Sequence, residues 1–133
     1  MKLLFVPDSF KRSLSSTVMC QILEEEAHRV FPQAECISIP MADGGEGTVE
    51  AMVSACGGEI GMLSVVGPDG RAVQAAYGVI ADEDDDAAVV EMAQASGLPL
   101  MAKPDPMTAT SFGTGMLLRH CLEAGYHRIY VGI

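Results

Sequence analysis

Basic residues are scarce in this sequence, and long apolar runs are missing. Only 8 Lys and Arg residues stand against 18 Asp and Glu residues, which gives a formal net charge of −10 over 133 residues. A protein this acidic is not expected to bind nucleic acid or an anionic membrane surface, and an anionic small molecule would need a local positive site. No apolar run reaches the roughly 18 residues that indicate a membrane-spanning helix.

Paired cysteines and a secretory leader are missing as well. The four cysteines form no C-x-x-C pair and show no metal-ligand spacing. Each lies in an apolar run, where a free cysteine behaves as a small hydrophobic residue. At the N-terminus, Asp8 interrupts the apolar stretch of "MKLLFVPDSF" too early for a signal peptide. These observations predict a cytoplasmic protein.

The first 58 residues alternate between strand and helix patterns. A short apolar run ending at Pro7 is followed by a serine-rich turn and a helical repeat that Pro32 ends; a second strand ends at Pro40. A second helix then stops at Gly57 and Gly58. Strand, helix, strand and helix in this order predict a right-handed parallel α/β unit. The expected elements are Lys2–Val6, a helix from Val18 to Phe31 with Ser13, Ser15 or Ser16 as its cap, Glu35–Ile39 and Val49–Cys56.

The second half of the chain has more strands than helices. Two strands are expected on either side of the turn "GPDG", and the run "DEDDD" is interpreted as a solvated loop before a third strand, "AAVVEMA". A last helix and a final strand, "RIYVGI", follow. We therefore predict a first α/β unit over residues 1–58 and a second, more β-rich subdomain over residues 59–133. The expected elements are Met62–Val66, Ala72–Ala81 and a helix from about Thr114 to Ala124.

The final apolar strand has no covering helix after it. In an α/β protein such a strand normally leads into a ligand loop and a helix. We therefore expect the chain to be a fragment of a longer protein.

Polar residues follow the first two strands, in the loops "PDSFKRS" and "MADGGEGT". Because ligands bind beyond the carboxyl ends of parallel strands, these loops would face one crevice if the two strands are neighbours. The residues that would converge are Asp8, Ser9, Lys11, Asp43, Glu46 and Thr48.

The stretch "GGEGT" could bind a phosphate or a carboxylate, because glycines allow close approach and the helix begins with free amides. It matches neither the P-loop pattern nor G-x-G-x-x-G. The alternative is a tight loop in which Glu46 only offsets the helix dipole. Asp43 and Glu46 could hold Mg²⁺ or accept a proton, or they could be a cap and a surface acid.

Lys11 is the most useful positive charge, since a lysine at a strand end can bind an anionic group; the alternative is a surface lysine. The stretch "TSFGTG", with Gly113 and Thr114, is a second glycine-bearing helix start, although Thr and Ser caps look the same. Glu91 lies in an apolar strand and is either paired in the core or faces the cleft. We assign no role to the histidines, which are His28, His120 and His127.

Five segments occur in an order that resembles a known family. They are "PDSFKRSLS", "PMADGGEGTVEAMV", "VVGPDGRAV", "VVEMAQASGLPL" and "TSFGTGMLLRHCLEAG". Together they resemble the N-terminal part of the bacterial glycerate kinases that phosphorylate the 2-hydroxyl of D-glycerate. The resemblance covers essentially the whole chain.

The resemblance implies a Rossmann-like domain with a second domain inserted in it, and transfer of the ATP γ-phosphoryl group to D-glycerate with Mg²⁺. By motif, the first loop contributes Asp8, Ser9 and Lys11, and the second contributes Asp43, Gly44, Gly45, Glu46, Gly47 and Thr48. Members of the family continue after the "VGI" strand into a further glycine-rich loop, so we expect the isolated chain to be inactive. Position 12 varies in the family, and Arg12 is uninformative.

We interpret Lys11 and the helix start at Gly45–Thr48 as groups that bind anionic oxygens. Asp43 or Glu46 would hold Mg²⁺ or orient the attacking hydroxyl, and Asp8 would support Lys11 or act as the base. The alternative hypothesis is a non-catalytic α/β module that binds an acidic metabolite or a protein partner and forms a homodimer through its truncated face.

Overall fold

The computed structural model describes residues 1–10, 13–82 and 85–133. It divides into two compact units, Met1–Asp43 and Gly44–Ile133. Both contain strands and helices, with parallel strand pairs in each, which confirms the predicted α/β class.

The first unit is a strand–helix–strand motif whose strands pair in parallel, with Lys2 opposite Glu35. Helix α1 packs on both strands. Its cap is Ser15, whose Oγ accepts a hydrogen bond from the Val18 amide at 3.2 Å, and it ends one residue before Phe31, as expected ahead of Pro32. The elements are β1 (Lys2–Phe5), α1 (Ser16–Val30) and β2 (Glu35–Ser38).

The two strands stay side by side beyond their ends. The Ile39 amide donates to the Phe5 carbonyl at 2.8 Å, and the Met41 amide donates to the Pro7 carbonyl at 3.1 Å. The first two strands are therefore neighbours, which was the stated condition for their loops to converge, and the loops that follow them start next to each other.

The second unit is built on a four-stranded sheet in the order β3-β4-β5-β6. Strand β4 is antiparallel to β3 and to β5, whereas β5 and β6 are parallel. The "GPDG" turn joins β3 to β4, with the Gly70 amide donating to the Gly67 carbonyl at 3.1 Å. The elements are α2 (Thr48–Cys56), β3 (Gly58–Val66), β4 (Ala72–Asp82), β5 (Asp85–Glu91), α3 (Met92–Ser96), α4 (Phe112–Glu123) and β6 (Ile129–Gly132).

Helices cover this sheet on both faces. Because neighbouring side chains of a strand point to opposite faces, Val89 packs in the cluster under α2 whereas Val90 packs in the cluster under α4. Val49 of α2 and Leu117 of α4 are both fully buried in these clusters. The core of the described chain therefore lies mainly in the second unit.

Three elements differ from the sequence-based expectation. Helix α2 packs on the second sheet, against β3, β4 and β5. The strand predicted over "AAVVEMA" ends at Glu91, and α3 begins at Met92. The acidic run is not simply a loop, because Asp82 ends β4 and Asp85 begins β5, and the two are register partners; residues 83 and 84 lie outside the described part. The predicted boundary between residues 58 and 59 remains a prediction about domains.

Two smaller expectations can be compared with the structure. Cys20 and Cys121 are buried, as expected for small hydrophobic residues, whereas Cys56 is exposed. Among the described residues, no helix combines the length and the apolar character that crossing a membrane requires.

Candidate functional site at the carboxyl edge of the second sheet

Three strands of the second unit end at the same edge of its sheet. Strands β3, β5 and β6 run in one direction, since β4 is antiparallel to both β3 and β5 and β6 is parallel to β5. Their last residues are Val66, Glu91 and Gly132. This carboxyl edge is where open α/β sheets bind ligands.

Two helices also begin at the carboxyl edge. The amide of Val49, in the first turn of α2, lies beside the side chain of Glu91, and Gly113, in the first turn of α4, lies so close to Val66 that a Cβ atom there would collide with the Val66 carbonyl. Helix N-termini carry a partial positive charge. Both helices therefore direct that charge toward the carboxyl edge.

The glycine-rich loop, which we define as Gly44–Thr48, lies on the end of β6. Gly44 has φ +99 and Gly47 has φ +91, values that L side chains rarely adopt. A Cβ atom on Gly132 would collide with the Gly44 carbonyl oxygen, and one on Gly44 would lie 3.2 Å from the Ile133 carbonyl oxygen. Glycine is needed here because two backbone segments touch.

Glu91 supplies a carboxyl group at the beginning of α2. Its side chain is 1% exposed, and its Oε2 accepts a hydrogen bond from the Val49 amide at 3.2 Å. Gly47, the cap residue of α2, has no side chain to cap the helix. Burial raises the pKa of the Glu91 carboxyl, as does the nearby charge of Glu50, while hydrogen bonds from the amides of Val49, Gly47 and Thr48 offset part of the increase.

The two polar side chains of the glycine-rich loop differ in their surroundings. Thr48 bonds within the loop, since its Oγ1 donates to the Gly45 carbonyl at 2.9 Å. Glu46 is exposed. Thr48 therefore closes the loop on itself, whereas the Glu46 carboxylate is open to solvent.

The beginning of α4 is tied to α3. Thr114 is buried, and its Oγ1 lies 2.8 Å from the Oγ of Ser96. Gly113 is buried against β3. Because β3 and β5 are separated by β4, this helix start lies roughly 10 Å along the carboxyl edge from Glu91.

The remaining candidate residues lie in the first unit. Asp8 is exposed and its Oδ1 accepts a hydrogen bond from the Ser9 amide at 2.7 Å. Asp43 is exposed at the end of the loop that follows β2. Lys11 lies outside the described residues, and so does Arg12. Asp8 and Asp43 thus follow neighbouring strands, as their positions in the sequence predict.

The structure brings some predicted residues together and adds one that the sequence left open. The glycine-rich loop, Gly113 and Thr114 share the carboxyl edge of the second sheet. Glu91 joins them there, and the signal that could have found it is a carboxylate in an otherwise apolar strand. In the described ranges, no group of three or more His, Cys, Asp or Glu side chains could hold a metal ion.

Comparison with known proteins identifies the family of this chain. The model of the glycerate kinase family matches residues 3–133. The chain is 45% identical to glycerate 2-kinase of Escherichia coli K12, over all of this chain and 35% of that protein. It is 44% identical to glycerate kinase of Bacillus subtilis 168, with the same coverage.

A solved structure agrees with these relatives. A crystal structure assigned as glycerate kinase 2 from Salmonella typhimurium LT2 matches all of this chain and 36% of that chain, at 46% identity and a TM-score of 0.69. The chain therefore spans about a third of the length of the relatives it matches. The chain belongs to the glycerate kinase family.

Proposed function

We propose that the protein containing this chain transfers the γ-phosphoryl group of ATP to the 2-hydroxyl of D-glycerate, in the cytoplasm. The observation that carries this proposal is the match of the glycerate kinase family over residues 3–133. Because the chain spans about a third of its relatives, the activity is proposed for the longer protein, and the isolated chain is expected to be inactive.

The geometry of the carboxyl edge supports this reaction class. Phosphoryl transfer needs groups that position the reactants and offset the charge of the phosphates. Two helix N-termini directed at one sheet edge provide partial positive charge in a chain with a formal net charge of −10. The backbone of the glycine-rich loop can approach a ligand closely, because Gly45 and Gly47 have no side chains.

The roles of individual residues follow their chemistry. Lys11 is proposed to bind an anionic oxygen of the substrate as a point charge. Asp8 would support Lys11 or accept the proton of the attacking hydroxyl, as a carboxylate can. Ser9, the glycine-rich loop, Gly113 and Thr114 are proposed to position the substrate or its phosphates.

Mg²⁺ fits this set of residues when most of its ligands come from the substrate. Mg²⁺ is usually held by one or two carboxylates together with phosphates and waters. Asp43 or Glu46, both exposed carboxylates, would hold it. When bound, the ion would offset the charge of the transferred phosphoryl group.

The experiment is a coupled assay for ADP formation with D-glycerate and ATP, using the protein from the complete open reading frame that contains this chain. Replacing Asp43 with Asn should lower kcat by far more than tenfold, because the variant keeps the shape of the side chain and loses its charge. Asp86→Asn, an exposed acid at the start of β5, is the matched control and should leave kcat unchanged.

Two results would contradict parts of the proposal. An absence of ADP formation with D-glycerate in the wild-type protein would reject the function. A normal kcat for Asp43→Asn would remove Asp43 from the mechanism while leaving the function intact.

A further inference from the structure

Glu91 is a buried carboxylate at the carboxyl edge to which the proposed reaction assigns no role. We propose that Glu91 is a positioning residue: its side chain binds the first turn of α2 and thereby holds the glycine-rich loop on the ends of β5 and β6. The inference rests on the proposed function insofar as the loop serves the substrate. The contact itself can be tested without the reaction.

The carboxyl group of Glu91 lies between the end of β5 and the start of α2. Glu91 is the last residue of β5 and pairs with Gly132 of β6. From there its Oε2 reaches the Val49 amide at 3.2 Å, across 42 positions of sequence. A strand end and a helix start that are remote in the chain are therefore joined by one side chain.

Stabilisation of the helix alone does not explain the buried position of Glu91. Oε1 of Glu91 is buried and has no hydrogen-bond partner among the described residues. A buried carboxyl group with an unsatisfied oxygen is costly. A local Ser, as at Ser15 of α1, caps a helix without that cost. What the remote carboxyl group adds is a fixed place for the helix start relative to the sheet.

The other end of the glycine-rich loop, at Gly44, is fixed as well. Gly44 lies against the backbone of Gly132 and Ile133, where neither Gly44 nor Gly132 has space for a Cβ atom without a shift of backbone. The glycine-rich loop is thus fixed at Gly44 by close packing on β6 and at Val49 by Glu91 on β5. Gly45, Glu46 and Gly47 span the distance between these two points.

The Val49 amide of α2 donates to Glu91, whereas the Thr48 amide donates to the Gly45 carbonyl at 3.3 Å. The Val49 amide is therefore occupied by Glu91 and does not bind a substrate anion. The contribution of Thr48 to phosphate binding is then indirect, through the shape of the loop.

The test compares Glu91→Ala and Glu91→Gln in the protein from the complete open reading frame. Gln keeps an oxygen that can accept from Val49, whereas Ala removes it. We expect Glu91→Ala to increase hydrogen–deuterium exchange of the amides at positions 47–50 at least tenfold and to lower kcat with D-glycerate at least tenfold. Glu91→Gln should stay within about threefold of the wild-type protein in both measurements. Glu59→Gln, an exposed acid at the start of β3 and therefore at the other end of that strand from the carboxyl edge, is the control and should change neither.

The outcomes separate the proposal from its alternatives. Unchanged exchange at positions 47–50 in Glu91→Ala would overturn it. Loss of kcat in Glu91→Gln with normal exchange would also overturn it, because the charge would then act in the reaction itself. If Glu91→Ala does not fold, Glu91→Asp replaces it; its shorter side chain should raise exchange at positions 47–50 at least threefold, and unchanged exchange would overturn the proposal. If the wild-type protein does not phosphorylate D-glycerate, the proposed function fails, while the exchange measurement still decides the role of Glu91.

Discussion

The two units of the chain differ in how much of their apolar surface they bury. In the second unit, Val65, Val89, Val90 and Leu117 are at most 1% exposed, and helices cover both faces of the sheet. In the first unit, Leu4 is 61% exposed although it lies in a strand. A two-stranded sheet with one helix has few positions that can be buried on all sides.

The same contrast is seen in how the two main helix starts are stabilised. Helix α1 of the first unit uses Ser15, three residues from the amide that it binds. Helix α2 of the second unit uses Glu91, 42 residues away. The first arrangement depends on local sequence, whereas the second depends on the completed sheet. Disturbed packing should therefore lower the stability of the second unit more than that of the first.

The largest effect on stability is expected when a leucine is truncated to alanine in the second unit, compared with the same substitution in the first unit. Leu117→Ala should lower the free energy of unfolding by about 2–5 kcal/mol, because it leaves a cavity in a fully buried position. In the isolated chain of residues 1–133, Leu4→Ala should cost less than about 1 kcal/mol, since most of that side chain is exposed there. Denaturant unfolding followed by circular dichroism measures both. Equal losses would contradict the contrast between the units.

A smaller effect is expected at the close contact between the glycine-rich loop and β6. Gly132→Ala should destabilise the protein by about 1–3 kcal/mol, because the added Cβ collides with the Gly44 carbonyl and the backbone has to shift. Gly115→Ala is the matched control. Its Cβ meets nothing within 4 Å in α4, so it should stabilise the protein by up to about 1 kcal/mol. A neutral Gly132→Ala would mean that the loop is not packed on β6.

The pH dependence of stability should report the burial of Glu91. Its pKa is raised from the ordinary value of 4.5 in the folded protein, so its contribution to stability is fully present below about that value and is lost as the pH rises through the raised pKa. The stability of the wild-type protein relative to Glu91→Gln should therefore fall with increasing pH, by at most about 1.4 kcal/mol per pH unit. Urea unfolding from pH 4 to 8 measures this. A difference that grows with pH would mean that the amides of α2 outweigh burial.

The smallest effect is expected at the local cap of the first unit. Ser15→Ala should cost about 1 kcal/mol, because the Val18 amide loses its acceptor. Ser13→Ala, in the same turn, is the control and should be close to neutral. Amide exchange at positions 17–19 should rise in the first variant alone; a rise in both would assign the effect to the turn as a whole.

What could be predicted from the sequence depended mainly on local signals. The end of α1, the hairpin at "GPDG" and the stop after α2 were predicted, and the cap of α1 was limited to three serines, because Ser, Pro and Gly act on their immediate neighbours. The packing of α2 on the second sheet was not predicted, because an apolar helix face does not specify which sheet it covers. The helical start at Met92 was missed because "VVEMA" continues an apolar run.

The candidate site was predictable in part for the same reason. The glycine-rich loop follows from its composition, whereas the role of Glu91 depends on a contact over 42 residues. The acidic run was interpreted as a loop, although Asp82 and Asp85 are register partners in β4 and β5. Arg128 and Tyr130 donate hydrogen bonds to Asp82 at 2.6 Å and 2.7 Å. The sequence around Asp82 does not predict these contacts, because the two partners lie 46 and 48 residues away.

The contact between Gly44 and Gly132 has a consequence for the order of folding. The hairpins β3–β4 and β4–β5 close short loops, whereas β6 reaches β5 only after α3 and α4, and Gly44 meets Gly132 across most of the chain. Closing long loops is slow and its entropic cost is recovered late. The hairpins should therefore form first. During synthesis on the ribosome, the central strands would pair before β6 is available for the glycine-rich loop to pack on.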